Sequence, residues 1–595
     1  MKKNIVCLLL AFTSFFSISA SPVSALAKFS TKYQVNYTVY SSGTTHVKFL
    51  INQVNNLSVV YATEYSLSIN HTKISNVRVS DENLSLIPSV IKTRNGSIIS
   101  FPFVNKIVGK DKPHFFTIEY DTEDVTNKIG NTWEINIPKL DPDENTVDYN
   151  IILTLPQNFP QIAYIDPKPT AIVDSNFYFS GKTMGNKPIS AVFGQEQFYK
   201  VSLSYHLQNN SNKKMTQKIA LPPDTGYQKV AIDRVEPVPL DIETDADGNW
   251  LASYELKPQE SVDVSAVLFI KVSFLPATKN TSVPQTYLSS NSIWNYDDLI
   301  FTIPEVQNLK TAKDVYDYVV DKFTYDFNKI NKQKSQKSSA SESLKNPESA
   351  ICTDFTNTFI AIARKIGIPA RELQGYALSE NPDLKPLSLE QDILHSWPEY
   401  FDTVKNTWVQ VDPTWAKTTQ GTDYFNKLDF NHIVFVIHGN DPNSPIVAGG
   451  YKNGSNNQKD VFVEPIDYIE FPTAQVQILD TKVLGDKIDL EITNKSNVGF
   501  FGDVSIEKNS HLSGLQTNLY VAPFSSEHIS VPLRNRPFIT KTSIQTIIYI
   551  NGERTSQNIT VEPYFTQTAF FAGFSGILAS AGLTARYLYL RRRKR

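Results

Sequence analysis

Apolar and polar positions alternate along the first third of the chain. Val35, Tyr37 and Val39, then Val47, Phe49 and Ile51, then Tyr61, Thr63, Tyr65, Leu67 and Ile69 stand at period two with mostly polar residues between them. That pattern marks half-buried strands, so an N-terminal all-β domain is expected over residues 28–195. A second set, Val201/Leu203/Tyr205/Leu207, Leu251 to Leu256 and Val262 to Phe274, is interrupted by Pro222-Pro223-Asp224-Thr225-Gly226 and Asp245-Ala246-Asp247-Gly248-Asn249. Strands separated by turn residues predict a β-sandwich-like domain at 196–290. Between Asp298 and Asn328 the period changes: Val306, Leu309, Val315, Val319 and Phe323 fit helical spacing, and a mixed α and β domain is expected over 291–462. Within it, residues 329–349 are polar and rich in Lys, Ser and Gln and read as a mobile loop. Strands return at Gln475 to Leu479, Lys487 to Ile492 and Thr542 to Ile550 before Asn551-Gly552, predicting a C-terminal β-sandwich at 463–564, a stalk or binding module.

The two ends carry different patterns. Lys2 and Lys3 precede an apolar run from Ile5 to about Ile18 that gives way to Ala25-Leu26-Ala27, the form of a cleaved secretory signal over residues 1–27. At the other end, Ala569 through Leu590 contains a single charge, Arg586, and is followed by Arg591-Arg592-Arg593-Lys594-Arg595. As a helix this run would measure about 33 Å at ~1.5 Å per residue, which predicts a transmembrane helix at 569–590 with Arg586 reaching to the interface. By the positive-inside rule the tail 591–595 would be cytoplasmic and the large N-terminal part extracellular, anchored to the cell membrane by one span. Ala572, Gly576 and Ser580 recur at four-residue spacing, which would permit helix pairing in a bilayer. No LPxTG-type site precedes the run, so it is not read as a cell-wall sorting signal.

Composition narrows the classes further. The chain of 595 residues balances 57 Lys+Arg against 60 Asp+Glu, for a formal charge of −3. There is no global attraction for nucleic acid, and no nucleic-acid partner is expected. A hydrophobic content of 41% argues against disorder over most of the length. The two cysteines, Cys7 and Cys352, cannot supply a disulfide framework, and Cys7 would leave with the signal. Asp245, Asp247 and Asn249 invite a calcium-loop reading, but glycine falls at the fourth position and Leu256 at the twelfth, so a hairpin turn is expected. Neither an HExxH run nor paired Cys/His spacing occurs, so no metal and no cofactor are implied.

Cys352 is the thiol that calls for an explanation. Phe355, Phe359, Ile362 and Ile366 after it form one stripe of a helix that Gly367 and Pro369 would end. The thiol then sits at the helix start, where unpaired N–H groups and the helix dipole favour a thiolate. A neighbouring base is still required. After Ala370 to Tyr376 and a loop come His395-Ser396-Trp397-Pro398-Glu399-Tyr400-Phe401 and Trp408-Val409-Gln410-Val411-Asp412-Pro413-Thr414, read as adjacent strands joined by a short turn. Two neighbouring strands can hold His395 and Asp412 side by side, the carboxylate on one imidazole nitrogen and the other nitrogen toward the sulfur.

Those residues carry a resemblance. Cys352-Thr353-Asp354-Phe355, Gly367-Ile368-Pro369-Ala370-Arg371, Gly375-Tyr376, His395-Ser396-Trp397 and Val411-Asp412-Pro413-Thr414 together resemble the transglutaminase-like superfamily, over residues 350–415 and more loosely from about 295 to 440. The family's papain-related core carries Cys, His and Asp in this chain order. One departure is Ala350-Ile351, where the family usually has Gly just before the Cys. The resemblance implies an α+β, papain-like domain with Cys352 as nucleophile, His395 as general base and acid, and Asp412 orienting the imidazole. It also implies a thioester intermediate on protein or peptide amides, resolved by an amine into a cross-link or by water into deamidation or proteolysis. The Cys352 backbone N–H would help hold the oxyanion.

The remaining residues are read as structural. Asp354 and Arg371 are expected to cap or pair near the helix ends, Tyr376 and Trp397 to be core or cleft-wall aromatics, and His432 and His438 to mark the ends of an apolar strand from Ile433 to Ile437. The alternative to an enzyme is a non-catalytic cell-surface adhesion or scaffold protein that uses the module structurally. The intact Cys-His-Asp set favours the enzyme. The natural substrate and the oligomeric state do not follow from the sequence.

Overall fold

A computed structural model describes residues 27–594 apart from 83, 94–95, 139–145, 186, 277–284, 331–336, 379–393, 420–422, 427, 452–458 and 565–566. The expected leader therefore lies, up to residue 26, outside the described residues. The chain divides into two units: one takes residues up to Asn127 with Asn136–Phe159 and Asp166–Ile189, the other Lys128–Ile135, Pro160–Ile165 and Ser190 onward.

In the first unit the period-two residues lie on buried faces. Strands Phe29–Val39 and Thr45–Asn55 form a hairpin in which Val35 faces Phe49 and Tyr37 faces Val47. All four side chains are buried while their neighbours are not. The hairpin lies inside an eight-stranded sheet, and Phe29–Val39 also pairs in parallel with Thr146–Thr154. Tyr61 and Thr63 fall before the strand Glu64–Ile69, so only the later part of that alternation is strand.

The second unit begins with two sheets. One orders Gln228–Glu236, Ser261–Ser273, Glu196–Gln208 and Val461–Ile466; the other orders Met215–Leu221, Trp250–Leu256 and Ile242–Thr244. Leu203, Tyr205, Ile219, Trp250 and Leu268 fill one core, which Ile433 and Phe435 also enter. The Asp245 turn is a hairpin turn. Its carboxylate accepts the N–H groups of Asp247 and Asn249 at 2.9 Å each, with Gly248 at φ 98°. The buried Asp247 carboxylate accepts from the Gly439 N–H at 2.8 Å and the Tyr287 hydroxyl at 2.9 Å. These oxygens are therefore occupied by N–H and O–H donors.

The mixed region follows. Helix α1 (Ala312–Lys322) starts at a reciprocal cap, Thr311 accepting from the Asp314 N–H and Asp314 from the Thr311 N–H, which separates it from the short turn Pro304–Gln307. Helix α2 (Ala340–Lys345) is capped in the same way by Ser339 and Glu342 and buries Ala340 and Leu344. The polar segment 329–349, expected to be loop, is thus not loop throughout, because Ser339 and Glu342 cap a helix within it. Helix α3 (Cys352–Lys365) buries Phe355, Phe359 and Ile362 completely and ends before Gly367 at φ 86°. Strands β1 (Ala370–Ala377), β2 (Leu394–Asp402) and β3 (Thr407–Gln410), helix α4 (Pro413–Thr418) and strand β4 (His432–His438) complete it. The antiparallel sheet runs β3-β2-β1-β4, and α3 packs on β2 and β1. A Cβ on Gly375 would lie 1.9 Å from the Ile433 carbonyl oxygen, at a register shift between β1 and β4, so only glycine fits there.

Toward the C-terminus, Val476–Leu484, Lys487–Asn494 and Ser526–Pro532 form a three-stranded sheet and Phe500–Ile506, Leu515–Val521, Thr542–Ile550 and Glu553–Val561 a four-stranded one. They enclose Leu490, Ile492, Val504 and Ile548. Asn551 and Gly552 both have positive φ, 49° and 83°, as a two-residue hairpin turn requires.

The expected transmembrane helix needs correction. A helix does span Gln567–Arg592, but no helix among the described residues is long and apolar enough to cross a membrane. The reason is in its composition. Phe571, Phe574, Ile577, Leu578 and Leu583 alternate with Gly573, Ser575, Gly576, Ser580, Gly582, Thr584 and Arg586, small, hydroxyl or charged residues that gain little or lose on entering hydrocarbon. Counting charges alone missed this dilution. The single-pass membrane anchor, the membrane as partner, and the topology built on it with 591–595 cytoplasmic and the bulk of the chain outside are withdrawn with it.

Candidate active site

Cys352 is the first residue of α3, and its helix start is tightly held. Asp354 accepts the Ile351 N–H through Oδ2 at 2.8 Å, the Lys329 ammonium at 2.8 Å, and the Ser343 hydroxyl through Oδ1 at 2.7 Å. One turn after Cys352, the buried Thr356 hydroxyl donates to the Ser396 carbonyl at 3.1 Å, next to His395 on β2. This brings the helix start near the imidazole: Cys352 is among the groups that raise the His395 pKa, and His395 Nδ1 is buried with no hydrogen-bond partner among the described residues.

Asp412 reaches the same ring from a different element than expected. It lies past the end of β3 and is the N-cap of α4, with Pro413 at the first helical position. Its two oxygens are divided. Oδ1 accepts the N–H groups of Thr414 at 2.9 Å and Trp415 at 3.1 Å; Oδ2 accepts from His395 Nε2 at 3.0 Å. With Nε2 spent on Asp412, Nδ1 is the nitrogen left for the thiol. His395 and Asp412 are 1% and 0% exposed and Cys352 is 0% exposed. Burial opposes a charged imidazole, but Asp412 and then Cys352 outweigh it and hold the His395 pKa above the ordinary histidine value. For Asp412, burial is outweighed by His395 and then His432, which keep its pKa well below the carboxylate range. The imidazole also stacks on Trp415, ring centres 5.2 Å apart, and on Trp397 at 5.8 Å.

Sequence reasoning missed His432. It does begin an apolar strand, but its Nε2 lies 3.3 Å from Asp412 Oδ2 and its Nδ1 2.7 Å from Asp429 Oδ1. Burial opposes its charge; Asp429 and then Asp412 outweigh burial and raise its pKa to about 9. Strand-end histidines are common, and no periodicity distinguishes this one. His438, at the other end of β4, donates to the buried Glu372 at 3.0 Å, which also takes Lys337 and the Ser396 hydroxyl. Arg371 pairs with Glu399 under Trp408, a structural role as read from sequence. Trp397 is fully buried and Tyr376 nearly so.

Among the described residues, the donor atoms gathered closely enough to suggest a metal belong to His395, Asp412 and His432, all within 4.8 Å of one another. Both Nε2 atoms approach the same carboxylate oxygen at hydrogen-bond distance. Protons therefore close the set, and the fit to a metal is poor.

No curated protein matches the chain. Similar solved structures are a proposed cysteine protease from Cytophaga hutchinsonii (16% identity, TM-score 0.33, covering 47% of this chain and 94% of that one). Two others are the periplasmic domain of TgpA from Pseudomonas aeruginosa (16% identity, TM-score 0.23, 37% and 91%) and red sea bream transglutaminase (8% identity, TM-score 0.17, 60% and 80%). Residues 301–413, which hold Cys352, His395 and Asp412, match the family model of the transglutaminase-like superfamily, and the chain carries a transglutaminase-like region there.

Proposed function

We propose that this region is a thiol enzyme acting on protein or peptide amides. The observation that carries the reading is the buried His395 ring, bound to Asp412 Oδ2 at 3.0 Å by Nε2, with Nδ1 left without a hydrogen-bond partner among the described residues and Cys352 near enough to raise its pKa. In this scheme the Cys352 sulfur, its proton taken by His395, attacks the amide carbon. The C–N bond breaks, His395 returns the proton to the departing amine or ammonia, and a thioester remains. Water or an amine then gives a proton to His395 and attacks the thioester; the C–S bond breaks and the thiolate recovers the proton. Asp412 orients the imidazole and stabilises its charged form, and the Cys352 backbone N–H is placed at a helix start where an oxyanion would be held. Because the three groups are buried, covering side chains must move for a substrate to enter.

The test offers casein together with a fluorescent amine to the full chain. Peptide release with water as acceptor, or fluorescent casein with the amine, is expected for the native protein and lost in Cys352→Ala and His395→Ala. Turnover that survives Cys352→Ala would overturn the reading, and its absence from the native protein under both acceptors would leave a structural module.

A further inference from the structure

The carboxylate of Asp412 serves two imidazoles through one oxygen. Its Oδ1 is already fixed by the Thr414 and Trp415 N–H groups, so Oδ2 alone meets His395 Nε2 at 3.0 Å and His432 Nε2 at 3.3 Å. The other nitrogen of His432 faces Asp429 Oδ1 at 2.7 Å. A ring with a carboxylate oxygen at each nitrogen satisfies both bonds only when both nitrogens carry protons, so His432 is an imidazolium in this arrangement. Its raised pKa, about 9, has the same cause.

We propose that His432, seated on Asp429, is a positioning residue that donates to the oxygen receiving the His395 proton and so limits how firmly Asp412 holds that proton. The proposal rests on the thiol-enzyme reading and adds a regulator of its base. His395 must take a proton in one half of the reaction and give it up in the other. A carboxylate with one imidazole partner would stabilise the charged form of His395 fully, making it slow to release the proton. A second donor on the same oxygen, and a second positive ring 5.5 Å away between centres, both reduce that stabilisation.

Among the described residues the titratable surroundings of His432 are few. Asp429 and Asp412 face its nitrogens and His395 its ring; Glu134 bonds the neighbouring Asn431 at 3.1 Å. The Tyr199 phenol lies near Asp429, and the Tyr316 phenol near Asp412. Tyr227 lines a small cavity with Asp429 and His432. All three phenols are held neutral, so among the described residues the charges that bear on His432 are Asp412, Asp429, Glu134 and His395.

Histidine-selective nitrogen NMR on the full chain, with His395 assigned by substitution, reads the claim directly. In His432→Gln, which keeps a donor near Asp412 without the charge, the His395 midpoint is expected to rise by about one pH unit. His432→Asn, smaller and chosen in case His432→Gln does not fold, removes the same charge and is expected to move it the same way. An unchanged or lowered His395 midpoint in a folded variant overturns the proposal. The parent reading is tested separately: Cys352→Ser should lower the His395 midpoint, and if it does not, the thiol–imidazole pairing fails along with the inference. The alkaline limb of casein turnover in His432→Gln should follow the NMR midpoint upward.

Discussion

Thr356 of α3 donates its hydroxyl to the carbonyl of Ser396, the residue after His395 on β2, at 3.1 Å. Thr356 follows Cys352 by four positions, so both lie on one face of the helix. The buried bond joins the element carrying the thiol to the strand carrying the imidazole, one residue from each. Thr356→Val preserves shape and removes the donor, and is expected to cost about 1 kcal/mol of stability. Casein turnover should fall further than that loss explains, because the sulfur–ring spacing is released as well. Urea unfolding beside turnover separates the two; equal activity with reduced stability would make the contact purely structural.

Stability should fall at both ends of the pH range, and the site contributes at each. The folded pKa of His432 is raised from 6.5 to about 9, so its contribution is complete below 6.5 and is lost as pH climbs through about 9. Asp412 is shifted the other way. Its contribution is present above 3.8 and disappears as pH falls toward its lowered folded value. Urea unfolding across this range should show a decline on the alkaline side that is reduced in His432→Gln, since that variant has no proton to lose there.

How far the sequence reaches differs between elements. The strands of Val35 and of Phe49, the α3 stripe of Phe355 and Phe359, and the Asn551-Gly552 turn were legible because each is a local periodicity or a local backbone requirement. The places of Cys352 at a helix start and of His395 on a strand were legible from local pattern. Asp412 was located correctly in the chain but assigned to a strand, since Asp-Pro reads both as a turn and as an N-cap with Pro at N1. His432 and Asp429 were not legible as site residues. Their meeting with Asp412 depends on β4 pairing with β1 across the sheet, a contact between distant segments that no window along the chain contains.

Asp354 is expected to control the thiol indirectly. It is 2% exposed and closes the start of α3 by accepting the Ile351 N–H while bonded to Lys329 and Ser343. Asp354→Ala should cost about 1–2 kcal/mol as a lost helix-start acceptor and fray the turn that begins at Cys352. Lys329→Ala should cost less, because that side chain is partly exposed and its ion pair is screened. Chemical denaturation gives the ranking. A Lys329 variant as unstable as the Asp354 one would mean the ion pair, and not the cap, holds the helix start.

Arg371 and Glu399 lie opposite each other on β1 and β2 and are buried together, the guanidinium 4.1 Å from the centre of the Trp408 ring and donating to the Asp247 carbonyl at 3.2 Å. Burial raises the Glu399 pKa and Arg371 counters it, so the carboxylate depends on this partner. Arg371→Met should therefore cost about 3–5 kcal/mol, most of it from the stranded carboxylate. The double variant Arg371→Met with Glu399→Leu removes both charges and should recover a large part of that loss, while the loss of the Asp247 contact persists. Unfolding free energies for the two singles and the double form a cycle that measures the coupling. If the double variant is as unstable as Arg371→Met, packing against Trp408 and the Asp247 bond, and not the ion pair, account for the stability of this corner of the sheet.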